Sequence, residues 1–135
     1  MSEQLSSHKV SGLNEAIAIK VLDKPGQGNA CHRYQIVPIA LATSNETTPQ
    51  KTSQLANAAC DIRFQDGPID EFGVNGISNE ALLAIVEHRL QGFQSGDFAC
   101  RENAVALTKL QECMMWLHKR TRDRMQRGVE GTNEK

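Results

Sequence analysis

Two kinds of hydrophobic spacing divide the chain. In EAIAIKVLD, residues 15–23, Ile17, Ile19 and Val21 alternate with smaller or polar residues, the period of a half-buried strand. A turn signal, KPGQGN at 24–29, follows. Strand character resumes in HRYQIVPIAL, 32–41, where Pro38 marks a bulge, an edge or a strand end. The polar stretch TSNETTPQKTSQL, 43–55, predicts a loop, and CDIRFQ, 60–65, a short strand with Ile62 and Phe64 on alternate positions. No helix-length segment joins these strands, so a small antiparallel sheet or meander is expected.

From residue 78 the period changes. SNEALLAIVEHRLQGFQ, 78–94, sets Leu82, Leu83, Val86, Leu90 and Phe93 on one helical face. Ser78 or Asn79 is placed to cap it, Glu80 suits the positive end of its dipole, and Gly96 is a natural stop. A second helix is expected from about Arg101 to Arg127, with Leu107, Leu110, Met114, Leu117 and Thr121 stepping by threes and fours in a heptad-like stripe. It would be roughly 40 Å long against about 25 Å for its partner. The C-terminal third must therefore pack on the sheet, pack on another subunit, or carry a site. Met114, Met115 and Trp116 add more apolar surface than one stripe holds, which suits either core packing or a subunit interface.

The expected fold class is α+β: an N-terminal small antiparallel β-sheet followed by a C-terminal two-helix antiparallel hairpin, oligomeric. Residues 1–77 form the β-rich part, 78–127 the hairpin and 128–135 a tail, within one compact domain. With 135 residues the core is modest, and at 4% aromatic it must rely on Leu, Ile, Val and Ala. No apolar run approaches the roughly 18 residues of a membrane span, and MSEQLSSHKV has no signal-peptide character, so a cytoplasmic protein is expected. Cys31, Cys60, Cys100 and Cys113 form no C-x-x-C pair and read as reduced thiols. A zinc site on Cys31, His32 and Cys60 is awkward, because strand neighbours point to opposite faces.

The formal net charge is only −1, yet Arg120, Arg122, Arg124 and Arg127 crowd into RTRDRMQRGVEGT, 120–132. Arg120, Arg124 and Arg127 lie at i, i+4 and i+7 and share a helix face. Cations near a helix C-terminus complement its dipole, but three stacked like charges exceed that need. Guanidinium forks suit a bidentate grip on phosphate or carboxylate. A near-neutral chain argues against a nucleic-acid polymer as target and for a small, enclosed anion. The stretch FQDGPIDEFGVNGISNE, 64–80, is a glycine-rich connector, neither G-x-G-x-x-G nor a Walker loop. In it Phe64 can stack on a base, and Asn75 can read a ribose hydroxyl or base edge. No G-x-S-x-G, H-E-x-x-H or paired histidine motif appears; His88 and His118 read as surface or packed residues. Asp66, Asp70 and Glu71 make at most a weak Mg²⁺ cluster. No catalytic residue, metal or cofactor is assigned.

Read together, residues 62–107 and RTRDRMQRGVEGT resemble a phage family, the Thoeris anti-defence signal sponges, whose helical hairpin is shared with the smaller anti-CBASS cyclic-nucleotide sponges. The elements FQ-x-G-P-I, G-V-N-G, N-E-x-L, F-Q-x-G-x-x-A-C-x-E-N and R-T-x-D-R-x-x-R-G-V-E-G-T recur in order over about residues 60–132. The resemblance implies binding without turnover. The family captures a cyclic ADP-ribose isomer, made from NAD by TIR enzymes, at pockets between subunits of a homo-oligomer, dimer or hexamer. Some members also capture cyclic di- or trinucleotides at a separate intersubunit site. Carried onto this chain, Arg120 and Arg124 grip the diphosphate, Phe64 stacks on the adenine and Asn75 reads ribose or base. Thr121, Arg127 and Arg63 are weaker candidates. The alternatives are a small nucleotide-hydrolysing enzyme, against which the missing acid–base pair counts, and an oligomeric nucleic-acid-binding protein.

Overall fold

The structure, a computed structural model, describes residues 3–40 and 58–133. The chain divides into two compact units, Met1–Asp66 and Gly67–Lys135. Residues 67–77, assigned above to the β-rich part of one domain, group with the helices. The expected 43–55 loop lies outside the described residues.

The first unit is an antiparallel meander, ordered β1 (Gln4–Leu5), β2 (Ile17–Val21), β3 (Arg33–Pro38), β4 (Cys60–Arg63). The β2–β3 register runs from Ile17 opposite Pro38 to Val21 opposite Tyr34, and β3 pairs β4 with Arg33 opposite Arg63. Strand β3 ends at Pro38, which has no N–H to donate to a ladder. Between β2 and β3 the Asp23 carboxylate accepts from the backbone N–H of His32 at 2.9 Å and of Arg33 at 3.1 Å. Those bonds, His32's first, hold the Asp23 carboxyl below its ordinary range. The expected stripe Ile17, Ile19, Val21 is half-buried to buried, but Ala18 and its partner Val37 are buried as well. Both faces of this sheet are therefore partly covered, and the period-two pattern described only one of them.

The second unit holds α1 (Ile69–Phe72), α2 (Asn79–Gln94) and α3 (Arg101–Gln126). Ser78 caps α2 by accepting from the Ala81 N–H at 3.1 Å, and Cys100 caps α3 through its sulfur, 3.4 Å from the Asn103 N–H. Gly96 follows α2 but does not take the left-handed conformation of a glycine stop. Instead Ser95 closes the helix, its backbone N–H and hydroxyl turned back onto the last turn.

The hairpin seam on α3 is half-buried at Asn103, Leu107, Leu110, Met114, Leu117 and Thr121. On α2 the matching positions are Leu83, Glu87, Leu90 and Gln94. Val86 and Phe93, expected on the inward stripe, are exposed at 44% and 39%. A two-helix seam is narrower than a general amphipathic face, so residues flanking a strict three–four repeat are left outside. Among the described residues the buried apolar side chains are Ala18, Val21 and Val37, all in the sheet. No described helix is long and apolar enough to cross a membrane.

Candidate functional site

The basic end of α3 is built by three phases of one helix. At about 100° per residue, Trp116, Arg120, Asp123 and Arg127 fall on one side, and the seam through Leu117 and Thr121 falls on another. Arg124 lies between them. Helix α3 ends in a Schellman arrangement: Gly128, at φ +73°, donates to the Met125 carbonyl and Val129 to that of Arg124, each at 3.0 Å. That turn sends the tail back over Arg124.

Arg124 is correspondingly buried, at 7% exposure. Its Nε donates to Glu130 Oε2 at 3.0 Å, and its terminal nitrogen to the carbonyls of Val129 at 2.9 Å and Thr132 at 3.0 Å. The Thr132 hydroxyl and N–H both return to the Val129 carbonyl. The Gly131 carbonyl accepts from the Asp70 N–H at 3.3 Å. Gly131 sits at φ +85°, where a Cβ would come within 3.1 Å of both Asp70 and Ile69. The tail is thus fastened on one side to α3 and on the other to α1.

A cavity of about 660 Å³ opens here, lined by Trp116, Lys119, Arg120, Asp123, Arg124, Gln126 and Arg127. Lys119 is held by Asp123 at 2.6 Å. Arg127 is exposed and already engaged within the chain. Of the three-arginine row, Arg120 alone is exposed with no hydrogen bond or ion pair among the described residues. Such a surface presents one unspent guanidinium, a second whose position is fixed by its own tail, and a surplus of positive charge over the carboxylates of Asp123 and Glu130. It suits a multiply charged anion small enough to enter the cavity.

The remaining candidates lie elsewhere. Thr121 is half-buried in the seam. Asn75 is half-buried in the segment between α1 and α2 and has a partner of its own. Phe64 and Arg63 belong to the sheet unit. Phe64 donates its N–H to the His32 carbonyl at 2.7 Å and meets Tyr34 edge-to-face at 5.7 Å. Arg63 faces Arg33 across the strands, beside a cavity of about 410 Å³. Trp116, by its spacing a core or interface residue, lines this cavity one turn before Arg120. Its exposure separates it from a core residue, and exposure at one helix phase is settled by which phase the seam takes. Among the described residues no group of three or more His, Cys, Asp or Glu is arranged to hold a metal.

A four-stranded antiparallel meander followed by a helical hairpin with a basic C-terminal end defines an α+β protein of the sheet-plus-hairpin class. Residues 56–122 match the model of the Acb2/Tad1 hairpin domain. Over 116 residues the chain is 45% identical to Thoeris anti-defense 1 of Bacillus phage SBSphiJ7, covering 79% of this chain and 82% of that one. This chain belongs to the Thoeris anti-defense 1 family; the match to the hairpin model ends at residue 122, within α3 and just before the buried Arg124.

Proposed function

We propose that this protein is a phage immune-evasion protein that binds and sequesters, without degrading it, a cyclic ADP-ribose isomer made by TIR enzymes of Thoeris defence, acting in the host cytoplasm. The observation that carries the reading is the basic cavity on α3, in a chain 45% identical to an anti-defence protein. A cyclic ADP-ribose bears a diphosphate, and Arg120 and Arg127 line that cavity with Arg124 fixed beside them. Arg120 supplies the free fork for the diphosphate, and Arg124 acts there chiefly by holding its wall. Phe64 for the adenine, Asn75 for ribose or base, and Thr121 and Arg63 as further contacts enter on their motif positions alone.

The protein works as a homo-oligomer, dimer or hexamer. The hairpin leaves Ile85 and Val86 on α2 and Val105 and Met115 on α3 exposed at 58%, 44%, 43% and 67%, more apolar surface than a lone helix pair favours. Capture of cyclic di- or trinucleotides at a separate site belongs to the same proposal. The test is to load the protein with the cyclic ADP-ribose isomer, filter, denature by heat and weigh the released ligand by mass spectrometry. Intact ligand at a stoichiometric amount supports sequestration. Product with more than one turnover per site would make the protein a small nucleotide-hydrolysing enzyme.

A further inference from the structure

We infer that Trp116 is the stacking platform of the α3 cavity, in the place that motif position alone gave to Phe64, and selects a purine nucleotide over anions that carry no base. The inference rests on the reading of that cavity as a nucleotide site and adds the residue that distinguishes a nucleotide from a bare phosphate. Trp116 is the sole tryptophan of the chain and is 69% exposed. It stands off the seam: Leu117, its neighbour, is half-buried, and the indole lies about 100° round the helix from it, on the basic side. There it lines the same cavity as Arg120, one turn on.

What surrounds the indole argues against a role inside the hairpin. Among the described residues it has no ring partner, no cation over its face and no acceptor for its N–H. Arg89 does lie over the Phe93 ring, at 5.5 Å, so a guanidinium stacked on an aromatic face is a contact this hairpin makes where the geometry offers it. Arg120 is one turn from Trp116, near enough to stack, yet has no such contact. Lys119, three residues on, is drawn away by Asp123 at 2.6 Å. A flat apolar face and an unspent guanidinium are thus left side by side, about one helical turn of 5.4 Å apart. That pairing matches a base and a phosphate separated by one sugar. A two-ring purine covers more of an indole than a pyrimidine does, and stacking on an aromatic face is worth roughly tenfold or more in affinity.

With no second tryptophan, emission excited beyond the absorption of Tyr34 reports on Trp116 alone. The full chain is titrated with the cyclic ADP-ribose isomer and, separately, with pyrophosphate, and binding is measured independently by calorimetry. The expected result is quenching by the adenine-bearing ligand and none by pyrophosphate, with Trp116→Ala losing at least tenfold in affinity and Trp116→Phe losing less. Calorimetric binding without quenching, or equal quenching by both probes, overturns the platform while leaving the sequestration reading standing. So does full affinity in Trp116→Ala. No binding of the cyclic isomer to the unsubstituted chain overturns both. Should Trp116→Ala change the oligomeric state, quenching of the unsubstituted protein by the cyclic isomer and not by pyrophosphate decides the matter alone.

Discussion

Arg120 and Arg124 are one turn apart, share a residue type and line one cavity, yet substitution should separate them. In Arg124→Ala at least three charge-assisted hydrogen bonds disappear from a side chain that is 8% exposed. The consequences are unequal. The Val129 carbonyl keeps the Thr132 N–H and hydroxyl, and Glu130, 42% exposed at its side chain, returns to water. The Thr132 carbonyl loses its guanidinium donor. One to two charge-assisted bonds' worth, about 2–3 kcal/mol, is the expected loss for the helical unit. The ion pair itself contributes the smaller part, because half of it is wet. Arg120→Ala removes no bond seen among the described residues and should stay within about 0.5 kcal/mol of the parent. The measurement is urea denaturation followed by helical circular dichroism, with hydrogen exchange at Val129 and Thr132 reading the tail directly. If Arg124→Ala is as stable as Arg120→Ala and its tail amides remain protected, the assignment of Arg124 as the tail's anchor is refuted.

Arg120→Ala should instead weaken binding of the cyclic ADP-ribose isomer by at least about 1.5 kcal/mol with the fold retained, measured by calorimetry. An unchanged affinity would remove Arg120 from the site. Gly131→Ala should destabilise the tail's contact with α1, since the new Cβ meets Asp70 and Ile69 at a left-handed backbone position; faster exchange of the Asp70 amide, which donates to Gly131, is the readout. The lowered Asp23 pKa gives the sheet unit stability that is present above the ordinary aspartate value, about 3.9, and lost as pH falls through the lower folded value. Asp23→Asn should flatten that acid dependence, and an unaltered pH profile would contradict it. Burial, helped by the Asp23 carboxylate, pushes the Cys31 thiol up, so Cys31 should react with a thiol reagent at neutral pH more slowly than exposed Cys60, Cys100 and Cys113.

Most of the fold was legible because each element carries its own period. The alternation at Ile17, Ile19 and Val21, the KPGQGN turn, the short CDIRFQ stretch and the three–four stripe on α3 placed β2, β3, β4 and both long helices to within a few residues, while the two-residue β1 and the one-turn α1 were too short to carry a period. What local pattern did not contain was the choice among faces. Leu82, Leu83, Val86, Leu90 and Phe93 all fit one broad helical face, and only a partner helix decides that Leu83 and Leu90 enter the seam while Val86 and Phe93 stay out. Ala18 gave no signal of its burial, because a small residue between two isoleucines reads as a spacer. The motif positions at Phe64 and Asn75 came from resemblance, and periodicity has nothing to say about them.

The arginine row shows why spacing alone misjudges a charged face. Residues at i, i+4 and i+7 share a side of a helix, but that side is some tens of degrees wide. Arg124 falls at its edge, on the flank toward Thr121 and the seam. That small rotation, together with a glycine two positions past α3's last residue that turns the chain back, is enough to bury it. Once buried, a guanidinium needs acceptors, and the next residues supply them: two carbonyls and the Glu130 carboxylate. The sequence RMQRGVEGT therefore encodes its own satisfied arginine, leaving Arg120 as the row's uncommitted cation among the described residues. A cavity built this way holds its shape before any ligand arrives, so less ordering is left to be done on binding. For a protein whose proposed task is to outcompete a receptor for a scarce signal, preorganisation of that kind matters more than the number of arginines.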